Sequence, residues 1–302
     1  MLRALEFYSG IGAFAQAGRS LDFGQNIAVL RAYDQNAAAN ETYKLNWGEK
    51  PCAINLDSIA ASQLPVADLW WMSPPCTPYS RRGARKDIDD KRAASFLHLI
   101  EFMLEKKPQI IIIENVEGFL DSRVHIHLKE RLGAQYCLSS VALCSSQFGV
   151  PMLRPRVFVV ATREGHKPIE APAARKPMAL SAFVDSSNDI DERLWLAPEQ
   201  AQKYEAVLNV VDPGDPESYS ICFTSGYLRC RKAGGSMLRM ADRRLRFFAP
   251  TEILKLLGFS ADFQIPASVS MPAAYKLVGN SVDVRVIRHI LNGLYSQGVF
   301  DK

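Results

Sequence analysis

The sequence predicts an α/β protein, with a mostly parallel sheet, helices on both faces, and a smaller lobe set into the chain. Three observations predict it. Short apolar runs alternate with longer amphipathic ones through the first half, which is the rhythm of βαβ units. Gln109-Ile-Ile-Ile-Ile-Glu114 carries four consecutive isoleucines, which suits a central strand buried on both faces. From about Gly165 the texture changes to prolines at 168, 172 and 177 and then to the polar stretch Asp185-Ser-Ser-Asn-Asp-Ile-Asp-Glu192.

The first expected strand is Leu5–Tyr8. Phe7-Tyr8-Ser9-Gly10-Ile11-Gly12-Ala13 follows it and leads into a helix; glycines there permit a tight turn and a close backbone approach to a ligand. Ala28–Tyr33 is the next strand, and Asp34 closes it about 22 residues after Gly12, where a carboxylate can accept bonds from ribose hydroxyls. Gly10-x-Gly12-x-x-Ala15 also fits a dinucleotide fingerprint, so a nicotinamide cofactor is open on these residues alone. Asp57, in Asn55-Leu-Asp57-Ser58-Ile59, is placed to meet an adenine amino group.

Further strands are expected at Ala67–Met72, Gln109–Glu114, Cys137–Leu143 and Val157–Thr162, with helices at Ala37–Asn46, Ser95–Glu105 and His125–Leu132. Beyond the polar stretch, Pro198–Leu208 reads as a helix and Asp212-Pro-Gly-Asp-Pro216 as turns. Helix patterning returns at Thr251–Leu257, with Thr251 as a cap, and at Val282–Leu294. The expected division is a large domain of 1–165 and 271–302 enclosing a lobe of 166–270.

Ser73-Pro74-Pro75-Cys76-Thr77-Pro78-Tyr79 follows the third strand. The prolines fix φ and push their predecessors out of the α region, so the Cys76 thiol is aimed. Strand ends are where open α/β sheets build sites, and Glu114 ends a neighbouring strand at the same edge. Packing alone would equally explain a buried cysteine or a helix-capping glutamate. A thiol beside an acid that can protonate a ring nitrogen suits one chemistry in particular. Carbon-5 of cytosine becomes nucleophilic only after a thiolate adds to carbon-6. Arg154 and Arg156, ahead of Val157-Phe-Val-Val-Ala, are candidate charges for that site.

The 302 residues carry a net charge of +4, which allows a polyanion partner without demanding one. The distribution says more. Arg229, Arg231, Lys232, Arg239, Arg243, Arg244 and Arg246 cluster with only Asp242 opposing them, and Arg81, Arg82, Arg85, Lys86, Lys91 and Arg92 follow the cysteine loop among three aspartates. Two such clusters flanking a candidate site favour a nucleic-acid groove over a merely solvated surface. The six cysteines show no CxxC spacing, so neither a metal nor a disulfide framework is expected. The sequence shows no signal-peptide pattern and no apolar run near the ~20 residues of a membrane span. A cytoplasmic monomer with reduced thiols is the expectation.

Phe7-x-Ser9-Gly10-x-Gly12, Pro75-Cys76, Glu114-Asn115-Val116, Arg154-x-Arg156, Pro250-Thr251-Glu252 and Gly279-Asn280-Ser281-Val282, in this order across nearly the whole chain, strongly resemble the carbon-5 cytosine methyltransferases. The resemblance implies a Rossmann-like fold and S-adenosylmethionine rather than NAD, leaving an oxidoreductase remote. It places Phe7, Ser9, Gly10, Ile11, Gly12, Asp34, Asp57, Ser58, Pro75, Asn280, Ser281 and Val282 around that cofactor. Cys76 becomes the nucleophile, Glu114 the group on ring N3, and Arg154 and Arg156 the supporting catalytic arginines. The basic loop with Arg81, Arg82 and Arg85 would close over a base flipped from its stack.

Cys222-Phe223-Thr224 is similar to the signature of the type 2 branch, which methylates transfer RNA in the anticodon loop, and the interval before Thr251 is short. Cys222, Thr224, Arg229, Arg231 and Lys232 are then expected to face the nucleic acid. A tRNA substrate is expected, with DNA as the alternative. Ala13, Thr77 and Met152 depart from the family's usual residues and bear on the substrate more than on the chemistry.

Overall fold

The computed structural model describes residues 1–19, 21–22, 27–79, 86–173, 175–185, 190–229 and 234–300. In chain order the elements are β1 (Arg3–Phe7), α1 (Ala13–Gly18), β2 (Ala28–Tyr33), α2 (Ala37–Trp47), β3 (Leu69–Met72), α3 (Ala94–Lys106), β4 (Ile110–Asn115), α4 (Arg123–Leu132), β5 (Cys137–Cys144), β6 (Met152–Leu153) and β7 (Pro155–Thr162). They continue as α5 (Pro198–Tyr204), β8 (Asn209–Val211), β9 (Ser220–Ile221), β10 (Ser236–Arg239), β11 (Leu245–Phe247), α6 (Pro250–Leu256), α7 (Met271–Asn280) and α8 (Val284–Ser296).

The large sheet has the order β2-β1-β3-β4-β7-β5. β2, β1, β3 and β4 are parallel neighbours, and β7 runs antiparallel to β4. Met72 pairs with Phe7 and with Ile113, so β1 and β3 end level and β4 runs on past them to Asn115. Antiparallel β7 starts where β4 ends, with Val157 opposite Asn115. Four segments therefore converge on one edge.

Alternation along the strands builds two packed faces. Leu5, Phe7, Trp70, Met72, Ile111, Ile113, Val157 and Val159 join Phe96, Leu99 and Ile100 of α3 and Val124, Leu128 and Leu132 of α4 in one core. On the opposite face Phe14 of α1 stacks on Trp71 with ring centroids 5.2 Å apart. Helices thus cover both faces, as the sequence rhythm predicts. Among the described residues, no helix is long and apolar enough to cross a membrane.

Two compact units result: Met1–Leu143 with Pro155–Ala171 and Ile287–Lys302, and Cys144–Arg154 with Pro172–Val286. This differs from the expected 1–165, 166–270 and 271–302. Residues 271–286 group with the smaller unit because α7, which the sequence reading missed, packs there. A Cβ on Gly279 would lie 2.5 Å from the Thr224 carbonyl carbon, so glycine is what allows that approach. β6 belongs there too, through its pairing with β9.

The smaller unit holds a three-stranded sheet, β11-β10-β8, and an aromatic core in which Phe223 meets Tyr227 and Phe248 edge-on. Arg246, expected in the basic groove, is fully buried and forks onto Glu252 at 2.7 and 2.8 Å. A buried guanidinium needs such a partner. Glu252 also accepts the Ala249 N–H at 2.7 Å, so Ala249, not Thr251, occupies the cap of α6.

Candidate active site

The thiol loop leaves β3 at Met72 and is tied down on both sides. The Ser73 N–H donates to the Phe7 carbonyl at 3.3 Å, and the Ser73 hydroxyl to the Tyr8 carbonyl at 3.0 Å. From the other side, Asn115 Nδ2 donates to the Pro74 carbonyl at 3.2 Å. Pro74 is buried, whereas Cys76 is exposed and opens a turn closed by the Tyr79 N–H on its carbonyl at 3.0 Å. The loop is rigid at its base and presents the sulfur outward. The Arg92 guanidinium lies near enough to interact electrostatically with Cys76, and nearby cations favour the reactive thiolate. Arg81, Arg82 and Arg85 lie outside the described residues.

Glu114 stands at the end of β4, and Arg156 Nε donates to its Oε1 at 3.0 Å with side chains only 10% and 17% exposed, respectively. The antiparallel run of β7 makes this pairing, because it returns Arg156 to the edge that β4 reaches. Sequence reasoning named both residues, and the structure brings them together.

Arg154 has a different place from the catalytic one expected. It lies in the smaller unit, 3% exposed, and its guanidinium donates to Cys222 Sγ at 3.0 Å, to the carbonyls of Phe223 at 2.9 Å and Gly279 at 3.1 Å, and to that of Ser281. With so many acceptors satisfied inside the protein, Arg154 acts as a clamp joining 222–223 to 279–281. Thr224 closes a turn with Tyr227 and Gly226, and Arg229 is exposed. Arg231 and Lys232 fall outside the described residues.

The glycine loop between β1 and α1 is built around positive φ. Gly10 at 54° and Gly12 at 87° adopt it, and so does Tyr8 at 55°. A Cβ on Gly12 would lie 2.1 Å from Trp47 Nε1, whereas one on Gly10 would meet nothing within 4 Å. Gly12 is therefore packed and Gly10 borders open space. Asp34 accepts the Gly10 N–H at 2.8 Å and the Asn36 N–H at 2.8 Å, fixing the loop to the end of β2. Burial pushes the Asp34 carboxyl above its usual range.

Asp57 and Ser58 are exposed on a turn held by Asn55, and the charge of Asp57 reaches Tyr8. Phe7 and Ile11 are buried. Ser9 is buried with no partner for its hydroxyl. These residues fit a polar cofactor: a free hydroxyl, a carboxylate and open room at Gly10. In the smaller unit Ser281 likewise keeps an unpartnered buried hydroxyl between exposed Asn280 and buried Val282. Among the described residues, no His, Cys, Asp and Glu group could hold a metal ion.

A parallel sheet edge carrying a glycine loop, a strand-end acid and a proline-set thiol is the layout of a Rossmann-like enzyme site. The comparisons narrow it. The profile of the C-5 cytosine-specific DNA methylase family matches residues 2–211 and 218–296, and the chain belongs to that family. A tRNA (cytosine(38)-C(5))-methyltransferase of Schizosaccharomyces pombe (strain 972 / ATCC 24843) is 31% identical over 323 residues, covering 96% of each chain. The solved structure of Entamoeba histolytica methyltransferase EhMeth superposes with a TM-score of 0.90 at 28% identity over 98% of both chains. S. pombe Dnmt2 methyltransferase gives 0.87 at 28% identity, over 98% of this chain and 99% of its own. The protein is a cytosine carbon-5 methyltransferase.

Proposed function

We propose that this enzyme transfers the methyl group of S-adenosylmethionine to carbon-5 of a cytosine in the anticodon loop of a tRNA, through a covalent Cys76 adduct. The observation that carries the RNA assignment is the 31% identity to a tRNA (cytosine(38)-C(5))-methyltransferase with 96% of each chain covered. A loop base is also cheaper to extrude than one stacked in a duplex.

Cys76 adds to carbon-6 of the extruded base while Glu114, held by Arg156, engages ring N3 and stabilises its proton. The resulting enamine is nucleophilic at carbon-5. S-adenosylmethionine, when bound, supplies the methyl group as a sulfonium electrophile and departs as the neutral thioether. Loss of the carbon-5 proton to a base then expels the Cys76 thiolate and restores the aromatic ring. In this reading Phe7, Ser9, Gly10, Ile11, Gly12, Asp34, Asp57, Ser58 and Pro75 hold the cofactor in the large unit, and Asn280, Ser281 and Val282 are assigned to cofactor binding by the family motif alone. Unit Cys144–Arg154 with Pro172–Val286 recognises the target through Cys222, Thr224 and Arg229. Asp34 takes ribose hydroxyls, and the Ser9 hydroxyl takes a polar group of the donor.

The test is labelled S-adenosylmethionine incubated with total tRNA or with duplex DNA. Incorporation into tRNA with duplex DNA nearly unlabelled is expected. Label in duplex DNA alone would assign the enzyme to DNA.

A further inference from the structure

Tyr8 makes contacts that none of the steps above uses. It is a non-glycine residue at φ 55°, in the left-handed region that L side chains enter only at a cost. Its neighbours hold it there. The phenol, half-buried and kept protonated by its desolvation, donates to Ser95 Oγ at 2.9 Å in the first turn of α3. The carbonyl accepts the Ser73 hydroxyl at 3.0 Å. Ser73 is the residue before Pro74-Pro75-Cys76, and Tyr8 is the residue before Ser9-Gly10. A chain of two bonds, Tyr8 to Ser95 and Ser73 to Tyr8, therefore runs from α3 through the glycine loop to the base of the thiol loop.

We propose that Tyr8 and Ser73 are positioning residues whose bond sets the Cys76 loop against the cofactor loop. The inference rests on the reading of Cys76 as nucleophile and of residues 7–12 as cofactor-binding. Methyl transfer requires the base held by Cys76 and the donor held by the glycine loop to meet in line. Two separate loops can drift, and a misplacement near 1 Å costs on the order of a hundredfold in rate. The Tyr8 side chain does this work indirectly. It holds a strained backbone conformation, and that conformation aims the carbonyl at Ser73.

The experiment compares Tyr8→Phe, Ser73→Ala, Ser73→Thr and Ser95→Ala in the full-length enzyme. The readouts are melting temperature, S-adenosylmethionine affinity by calorimetry, and kcat at saturating cofactor and nucleic acid. Tyr8→Phe and Ser73→Ala should lower kcat on the order of tenfold while the cofactor Kd moves less than about threefold. Ser73→Thr, which keeps the hydroxyl, should restore most of the rate. Tyr8→Phe combined with Ser95→Ala should cost no more than either alone, because both cut one bond. Rates within about twofold of wild type, or losses matched by cofactor affinity or by unfolding, overturn the proposal. The rate is measured on whichever nucleic acid the wild-type enzyme methylates, so a DNA substrate would overturn the tRNA reading and leave this result interpretable.

Discussion

Arg156 provides the sharpest quantitative expectation. Its Nε lies 3.0 Å from Glu114 Oε1 with both side chains largely buried, so the bond is charge-assisted and shielded from water. Such bonds contribute about 1.5–3 kcal/mol, which corresponds to roughly 10- to 150-fold in rate if Glu114 acts only when held. Arg156→Lys keeps the charge but not the planar fork, and kcat should fall within that range. Arg156→Ala also strands the carboxylate in a buried place, where losing one partner costs about 3–5 kcal/mol; a drop beyond a hundredfold and a lowered melting temperature are expected. Single-turnover transfer of labelled methyl at saturating cofactor and nucleic acid measures the step, with cofactor affinity determined separately and expected to stay near wild type. If Arg156→Ala retained a third of the wild-type rate, Arg156 would not be what holds Glu114.

Three further predictions concern the framework. Glu6 is fully buried beside Tyr43, which donates to it at 2.8 Å, and burial pushes its carboxyl up to about 8. A carboxyl raised on folding lends its full stability below its unfolded value of 4.5 and loses it as pH rises towards about 8; that interval is worth on the order of 5 kcal/mol. Glu6→Gln should therefore match wild type near pH 4 and exceed its melting temperature at pH 8–9, and equal curves at both would refute a neutral Glu6. Arg154→Met should leave the carbonyls of Phe223, Gly279 and Ser281 short of a donor, costing about 2–4 kcal/mol by denaturant unfolding. Gly10→Ala and Gly12→Ala should separate: the first extends into open space and weakens cofactor binding with about 1–2 kcal/mol of backbone strain, while the second collides with Trp47 and destabilises the fold further. Calorimetry and thermal melts distinguish them.

The large sheet was readable because its strands obey a local rule. Ile110–Ile113 are apolar on both faces, and the surrounding runs have the length and flanks of strands, so the parallel core followed from pattern alone. The Cys76, Glu114 and glycine-loop positions were readable because each sits at a strand end. The smaller unit was not, since its strands are two to four residues long, too short to carry a period. The local pattern also misplaced two arginines. Arg246 alternates like an exposed strand residue, yet Glu252 waits six positions on and buries it. Arg154 looks identical to Arg156 from sequence, but the chain passes from one unit to the other between them. Tyr8 carried no signal, because its left-handed backbone depends on Ser95 and Ser73, 87 and 65 residues away.

The most direct measurement of the chemistry uses tRNA carrying 5-fluorocytidine, which blocks release of the covalent complex because carbon-5 has no proton to lose. With S-adenosylmethionine present, the wild-type enzyme should form a denaturation-resistant protein–RNA band. Cys76→Ala should form none and transfer no methyl while still binding the cofactor. Methyl transfer by Cys76→Ala at a rate comparable to wild type would contradict the nucleophilic role of Cys76.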